Sequence, residues 1–284
     1  MLSFSKLPSD HLMPSFALHV VVTTFGAGAA FFHCVHAACL HRIHSTISRL
    51  PAAQPRLADA SNQHSLALIM ATTVVRTIGL ALSVPTLLPF FIHLLNPVDD
   101  TTIFSDSEQL LVLTFGALFN GAYLWEMLCG PPLSTTTLVH HVITLFMSVV
   151  SCHCGFFDDT GFAFAIVVLM SLPTQLAKFL RQANCSWSVP VWHVAIYYYH
   201  IVESVSVLVP VYIMMYKNQP LVYVAIKAST VLALAIVKLK IGAMLRKGLA
   251  KCTTTKCDVT NAVICDILCM PKILRRIYAV ISWM

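Results

Sequence analysis

The chain has 284 residues, is 57% hydrophobic and only 11% charged, and carries a net charge of +6 with a mean hydropathy of +0.78. A single soluble core of this length cannot bury so much apolar surface, which excludes an ordinary globular domain and leaves a membrane protein. The positive charge does not point to nucleic acid, because Lys and Arg gather at the ends of apolar runs, as they do where loops are held on the cytoplasmic side.

About 20 apolar residues cross a hydrocarbon core as a helix, and backbone groups in lipid must pair within their own segment, so such runs predict helices and not strands. The first run, 15 to 40, is too long for a removed signal peptide and lacks its basic start and small-residue cleavage site, so it is expected to stay in the protein. The stretch behind it carries Arg42, Arg49 and Arg56. The second run, 66 to 95, contains Arg76 and ends in NPVDDTTIFSDSEQ, which has no Lys or Arg. The third, 110 to 128, holds Asn120, Tyr123 and Glu126, and a short turn with Pro131 and Pro132 leads to the fourth, 135 to 154. There His141, Thr144, Ser148 and Ser151 recur at steps of three and four, which sets them on one stripe of a helix with His140 beside it. The fifth run, 162 to 180, groups Ser171, Thr174, Gln175 and Lys178. The sixth, 191 to 216, groups His193, Tyr197, His200 and Glu203, and the seventh, 221 to 242, has Lys227 and Thr230.

The predicted fold is therefore all-α, a polytopic transmembrane helical bundle of about seven spans. A six-span version with the first run outside the bundle fits the charges equally well. The loops divide the chain into an N-terminal span with its cytoplasmic loop (1–65), a transmembrane domain (66–242) and a basic cytoplasmic tail (243–284). The basic loops place the N-terminus outside or in a lumen and the C-terminus in the cytoplasm. The tail ends near Trp283 and alternates apolar and basic residues, which suits either an interfacial helix or a disordered arm. Its Cys252, Cys257, Cys265 and Cys269 are either plain thiols or acylation sites. The sequon at Asn184 falls in the cytoplasm in this topology and is expected to be unmodified.

Each ionisable side chain within a span costs a few kcal/mol or more at the bilayer centre and is normally turned into the bundle. Arg76, Glu126, His140, His141, Lys178, His200 and Glu203 are thus expected to ring a polar space between the helices. The alternative for each is simple pairing across helices, Arg76 with Glu126 or Glu203 and His200 with Glu203. Six or more such groups exceed what helix association requires. A histidine can act as general base in acyl transfer, and the stripe favours His141 as the inward one, with Glu126 or Glu203 as the carboxylate to orient it. No metal is expected. His33 with His36, His41 with His44, and His140 with His141 do not match the spacings of membrane di-iron oxidases, nor do Cys152, His153 and Cys154 match a recurrent zinc pattern. No phosphate-binding loop, dinucleotide fingerprint or internal repeat is visible.

The run LVHHVITL, followed about thirty residues later by LMSLPTQLAKFLR, resembles the core of the TLC-domain family of integral membrane proteins, which includes the ceramide synthases. His140, His141 and Thr144 are similar to the family's HHxxT pattern, and the likeness covers roughly residues 66 to 242. It implies residence in the endoplasmic reticulum or a related endomembrane and a role with lipids. The ceramide synthases have aspartates where this chain reads IVVLMSLPTQLAK, and Asp158 and Asp159 come too early to stand in for them. The expected function is accordingly a multi-pass protein that binds or handles lipids and influences membrane lipid composition. Arg76, Glu126, Lys178, His200 and Glu203 would contact the lipid, and no cofactor is needed. The alternative is a ceramide-synthase-like acyltransferase that takes acyl-CoA as co-substrate, uses His141 as base and relies on His140 or Lys178 for the oxyanion. A weaker alternative is a proton-coupled transporter with His200 and Glu203 as relay. The expected partners are membrane lipids and no nucleic acid, and homo-oligomerisation is left open.

Overall fold

The structure is a computed structural model and describes residues 14–48, 59–95, 106–153, 172–183, 187–216 and 221–253. The described residues are helical, with no strand among them. The helices are α1 (Pro14–Ile47), α2 (Ala60–Leu95), α3 (Asp106–Leu128), α4 (Thr135–His153), α5 (172–182), α6 (Ser188–Tyr216) and α7 (Leu221–Thr253). Each falls on one of the seven apolar runs, and several overrun them because a helix continues past the lipid-length window. Thr23–Ile47, Ala60–Leu82, Ser188–Tyr212 and Val224–Ala250 are long and apolar enough to cross a membrane, and Thr135–Val150 is a shorter apolar stretch. Pro85, Pro89 and Pro210 lie within continuous helices, so they do not break the elements that hold them. The sequon, Asp158, Asp159, Cys154 and the tail beyond 253 fall outside the described residues.

Helix starts are written in the sequence. Asp59 caps α2, its carboxylate accepting from the backbone N–H groups of Ser61 and Asn62 at 3.4 and 3.3 Å. Ser134 caps α4, accepting from the Thr137 N–H at 3.2 Å and bonding the Thr137 hydroxyl at 2.8 Å. These caps satisfy donors that the first turn leaves unpaired. Ser134→Ala is expected to cost about 1 kcal/mol of stability, read as a small drop in the thermal unfolding midpoint in detergent.

The first helix belongs to the bundle, which removes the version that leaves it outside. Phe32 and Ile43 of α1 are fully buried against Leu66, Ala67, Ala71 and Val75 of α2 and Ala122 and Trp125 of α3. Small residues make this possible: a side chain on Gly28 would overlap the Ala117 carbonyl, and one on Gly121 would overlap the backbone of Gly28 and Ala29. Helices α1 and α3 therefore cross backbone to backbone.

A second core joins Ala177 of α5 to Trp192, Ala195, Tyr199 and Val202 of α6 and Leu245 of α7. Phe179 and Leu180 of α5, with Ala183 just after it, belong to the first core, so this short helix is the seam between the two halves. Outward, Val194, Tyr197, Ile201, Val205 and Leu208 of α6 form an exposed apolar stripe. That stripe faces the lipid in a membrane, and it corrects the grouping of Tyr197 with the inward polar residues.

Candidate functional site

The paired histidines lie in the second turn of α4, near where the Pro131–Pro132 turn brings α3 and α4 together. His141 is 4% exposed, and its Nε2 bonds Glu126 Oε2 on α3 at 2.8 Å. Its ring stacks on Tyr123, one turn before Glu126, with centroids 4.2 Å apart and planes 20° from parallel. The Nδ1 atom of His141 is buried and has no hydrogen-bond partner among the described residues. With Glu126 accepting the Nε2 proton, Nδ1 holds the imidazole's available lone pair. His140 is half-buried and meets the Tyr123 ring edge-on at 5.8 Å, so both histidines converge on one tyrosine despite the rotation between them.

The rest of the HHxxT element serves the helix. Thr144 Oγ1 donates to the His140 carbonyl at 2.8 Å, and Ser148 donates to the Thr144 carbonyl and to the buried Asn120 side chain at 3.2 Å. The polar stripe of α4 thus locks onto α3 along its inner face.

Arg76 of α2 enters from the other side. Its guanidinium lies 5.6 Å over the Phe119 ring and within hydrogen-bonding reach of the Tyr123 hydroxyl. The expected ion pairs with Glu126 or Glu203 give way to this aromatic seat because Glu126 is taken by His141. An aromatic ring and a phenol do not neutralise a guanidinium. Lys178 of α5 is accessible and lies within electrostatic reach of both Arg76 and Glu126. Four of the seven expected residues, Arg76, Glu126, His140 and His141, therefore gather around Phe119 and Tyr123 across α2, α3 and α4.

Two more sit on α6. His200 Nδ1 and Glu203 Oε2 are 3.3 Å apart, the expected pairing at a three-residue step. On the opposite edge of the ring, His200 Nε2 accepts from Arg246 Nη1 of α7 at 3.1 Å, which fixes the proton on Nδ1 and aims it at Glu203. Lys238 of α7 is buried and lies within electrostatic reach of Glu203 and His140.

Lys238 and Arg246 were hidden in the sequence by the positive-inside pattern, which accounted for every basic residue near the end of α7. A signal was available: Lys227, Thr230 and Lys238 are all buried and fall on one helical stripe. The histidines of α1 turn elsewhere. His33 Nδ1 accepts from Trp125 Nε1 at 3.2 Å, His36 meets His64 edge-on at 4.7 Å, and His44 lies 3.4 Å from the Gln63 side chain. Among the described residues no group of His, Cys, Asp or Glu is arranged to hold a metal ion.

Described residues that are all helical, with several membrane-length apolar helices and a buried polar cluster among them, define, at the level of class, a membrane-protein architecture. Comparison with protein-family models, with curated proteins and with solved structures found no match to this chain.

Proposed function

We propose that this chain is a seven-span membrane protein, related to the TLC-domain family, that holds a lipid headgroup in the polar cluster between its helices and thereby influences membrane lipid composition. In this reading it resides in the endoplasmic reticulum or a related endomembrane, with the N-terminus luminal and the C-terminus cytoplasmic. The observation that carries it is Arg76. It lies within the membrane-length stretch Ala60–Leu82, six residues or about 9 Å from its nearer end, and its described contacts are a ring and a phenol. An arginine inside a span carries a desolvation cost unless matched, and Lys178 adds a second cation within electrostatic reach. An anionic headgroup group, phosphate or carboxylate, is the ligand such a pair suits.

The test is lipid retention by the purified full-length protein, measured by mass spectrometry of bound lipid. Arg76→Gln is expected to lower the amount retained about tenfold, as for loss of one charge-assisted contact. Retention unchanged in Arg76→Gln would end the reading.

The free Nδ1 of His141 favours a second reading, acyl transfer. His141 would take the proton from a lipid hydroxyl or amine as that group attacks the thioester carbonyl of acyl-CoA, and CoA thiolate would leave. Glu126 would hold the ring, and His140 or Lys178 would stabilise the oxyanion. Acyl transfer by the purified protein that disappears in His141→Ala would establish it; retained lipid without turnover would favour the first reading.

A further inference from the structure

Helices α6 and α7 run antiparallel, as two bonds between them show: Trp192 Nε1 donates to the Leu245 carbonyl at 2.7 Å and the Tyr199 hydroxyl to the Lys238 carbonyl at 3.2 Å. Helical side chains lean toward the N-terminus of their own helix, so on antiparallel neighbours they lean toward one another. His200 of α6 and Arg246 of α7 meet in this way, with His200 Nε2 3.1 Å from Arg246 Nη1. Gly242 makes room for the imidazole, since the first atom of a side chain there would come within 3.2 Å of His200 Cε1. Tyr199 meets the same ring edge-on at 5.9 Å.

A guanidinium has donors and no acceptor, and it keeps its proton at any pH a protein meets. The contact with Arg246 therefore exists only while His200 Nε2 holds a lone pair. A second proton on the ring turns Nε2 into a donor facing a donor and sets two cations 3.1 Å apart. The other edge of the ring responds in the opposite sense. Its Nδ1 lies 3.3 Å from Glu203 Oε2, and that contact becomes one between an imidazolium and a carboxylate. One added proton thus breaks the bond to α7 and tightens the bond within α6.

The surroundings decide which partner moves. Among the described residues, Glu203 faces the imidazole from α6 and Arg246 from α7. Lys238 of α7 is within electrostatic reach of Glu203, and His140 of α4 is within reach of Lys238. Helix α5, which also packs on α6, sends Arg181 to Trp192, about two turns from His200. With the ring charged, Glu203 answers three cations: His200, Lys238 and Arg246. Lys238 is buried and His200 is seated against Gly242, whereas Arg246 is exposed. Arg246 also lies four residues from the end of the membrane-length stretch Val224–Ala250, where a guanidinium on its long stem reaches the headgroup region.

We infer that His200 and Arg246 form a proton-operated latch between α6 and α7, closed while the imidazole is neutral and opened when it takes a proton and Arg246 turns out to the membrane surface. The latch is separate from the cluster around Arg76, and it stands whether or not that cluster takes a headgroup.

Histidine is the side chain that exchanges a proton between about pH 5 and 8, which sets the window of the test. The experiment measures the thermal unfolding midpoint of the full-length protein in neutral detergent at pH 8 and at pH 5, for the wild type, Arg246→Gln, His200→Gln and the double variant. At pH 8 Arg246→Gln lowers the midpoint by about 2 to 4 °C, as for loss of one charge-assisted bond. At pH 5 the same substitution leaves the midpoint unchanged or raises it, because the bond is already broken and a repulsion is removed. In the His200→Gln background its effect is the same at both pH values. Arg246→Lys keeps the charge, so it retains the pH dependence that Arg246→Gln loses, and it reads the latch if the His200 variants do not fold. An Arg246→Gln shift equal at pH 5 and pH 8, a pH-dependent shift that persists in the His200→Gln background, or an Arg246→Lys variant that behaves as Arg246→Gln would each overturn the inference.

Discussion

Gly121→Val is expected to destabilise the protein by about 3 kcal/mol or more, one of the two largest effects foreseen for a single substitution here. The first atom of any side chain at Gly121 falls on the backbone of Gly28 and Ala29, and backbone cannot rotate away as the end of a long side chain can. Relief requires α1 and α3 to separate, which unseats Phe32 from Trp125, rings now 5.1 Å apart between centroids, and strips Ile43 and Phe32 of their burial. Gly28→Val should act alike, because it meets the Ala117 carbonyl from the other side. Gly26 supplies the control: a side chain there meets nothing within 4 Å, so Gly26→Val, two residues away on the same helix, should stay within about 0.5 kcal/mol of the wild type. Thermal unfolding of the three variants in one detergent decides the matter. Equal stability for Gly26→Val and Gly121→Val would mean that the helices do not cross where the structure puts them.

This crossing also shows where sequence stops informing. That residues 15 to 40 form a helix follows from apolar length and from the need to pair every backbone group in lipid, and neither depends on neighbours. That this helix is a full member of the bundle depends on Gly28 facing Gly121, a match between rotations of two helices 93 residues apart that no local pattern encodes. The site divides in the same way. His141 turned inward is legible because His141, Thr144 and Ser148 share a stripe, and Glu126 as its partner is legible because a short proline turn sets α3 beside α4. His200 with Glu203 needs only the helical step. The seat of Arg76 over Phe119 was not legible, since an arginine can reach several neighbouring turns and the choice rests on which carboxylate is already engaged. Lys238 is not legible for a different reason: topology alone accounts for a lysine near the end of α7, and its burial depends on how α7 packs.

The second large effect is expected at the dyad. Glu126→Ala leaves His141 buried without its partner, and His141→Ala takes from the Glu126 carboxylate the donor that Nε2 supplies. Breaking a buried pair from one side typically costs about 3 to 5 kcal/mol, because the surviving group keeps its desolvation penalty. Side-chain exposures of 5% for His141 and 13% for Glu126 put this pair in that regime, with Glu126 the slightly wetter member. Removing both should cost less than the sum of the single changes, giving a coupling of about 1 to 3 kcal/mol in a double-mutant cycle. Glu126→Gln separates geometry from charge: the amide oxygen still accepts from Nε2, so stability should fall by only about 1 kcal/mol. A cycle that closes with no coupling, measured by thermal or denaturant unfolding in detergent, would show that His141 and Glu126 do not meet. If the acyl-transfer reading holds, Glu126→Gln also lowers turnover while leaving the stability and the lipid retention near those of the wild type, since an amide keeps the ring in place and does not support the imidazolium that forms when Nδ1 takes a proton.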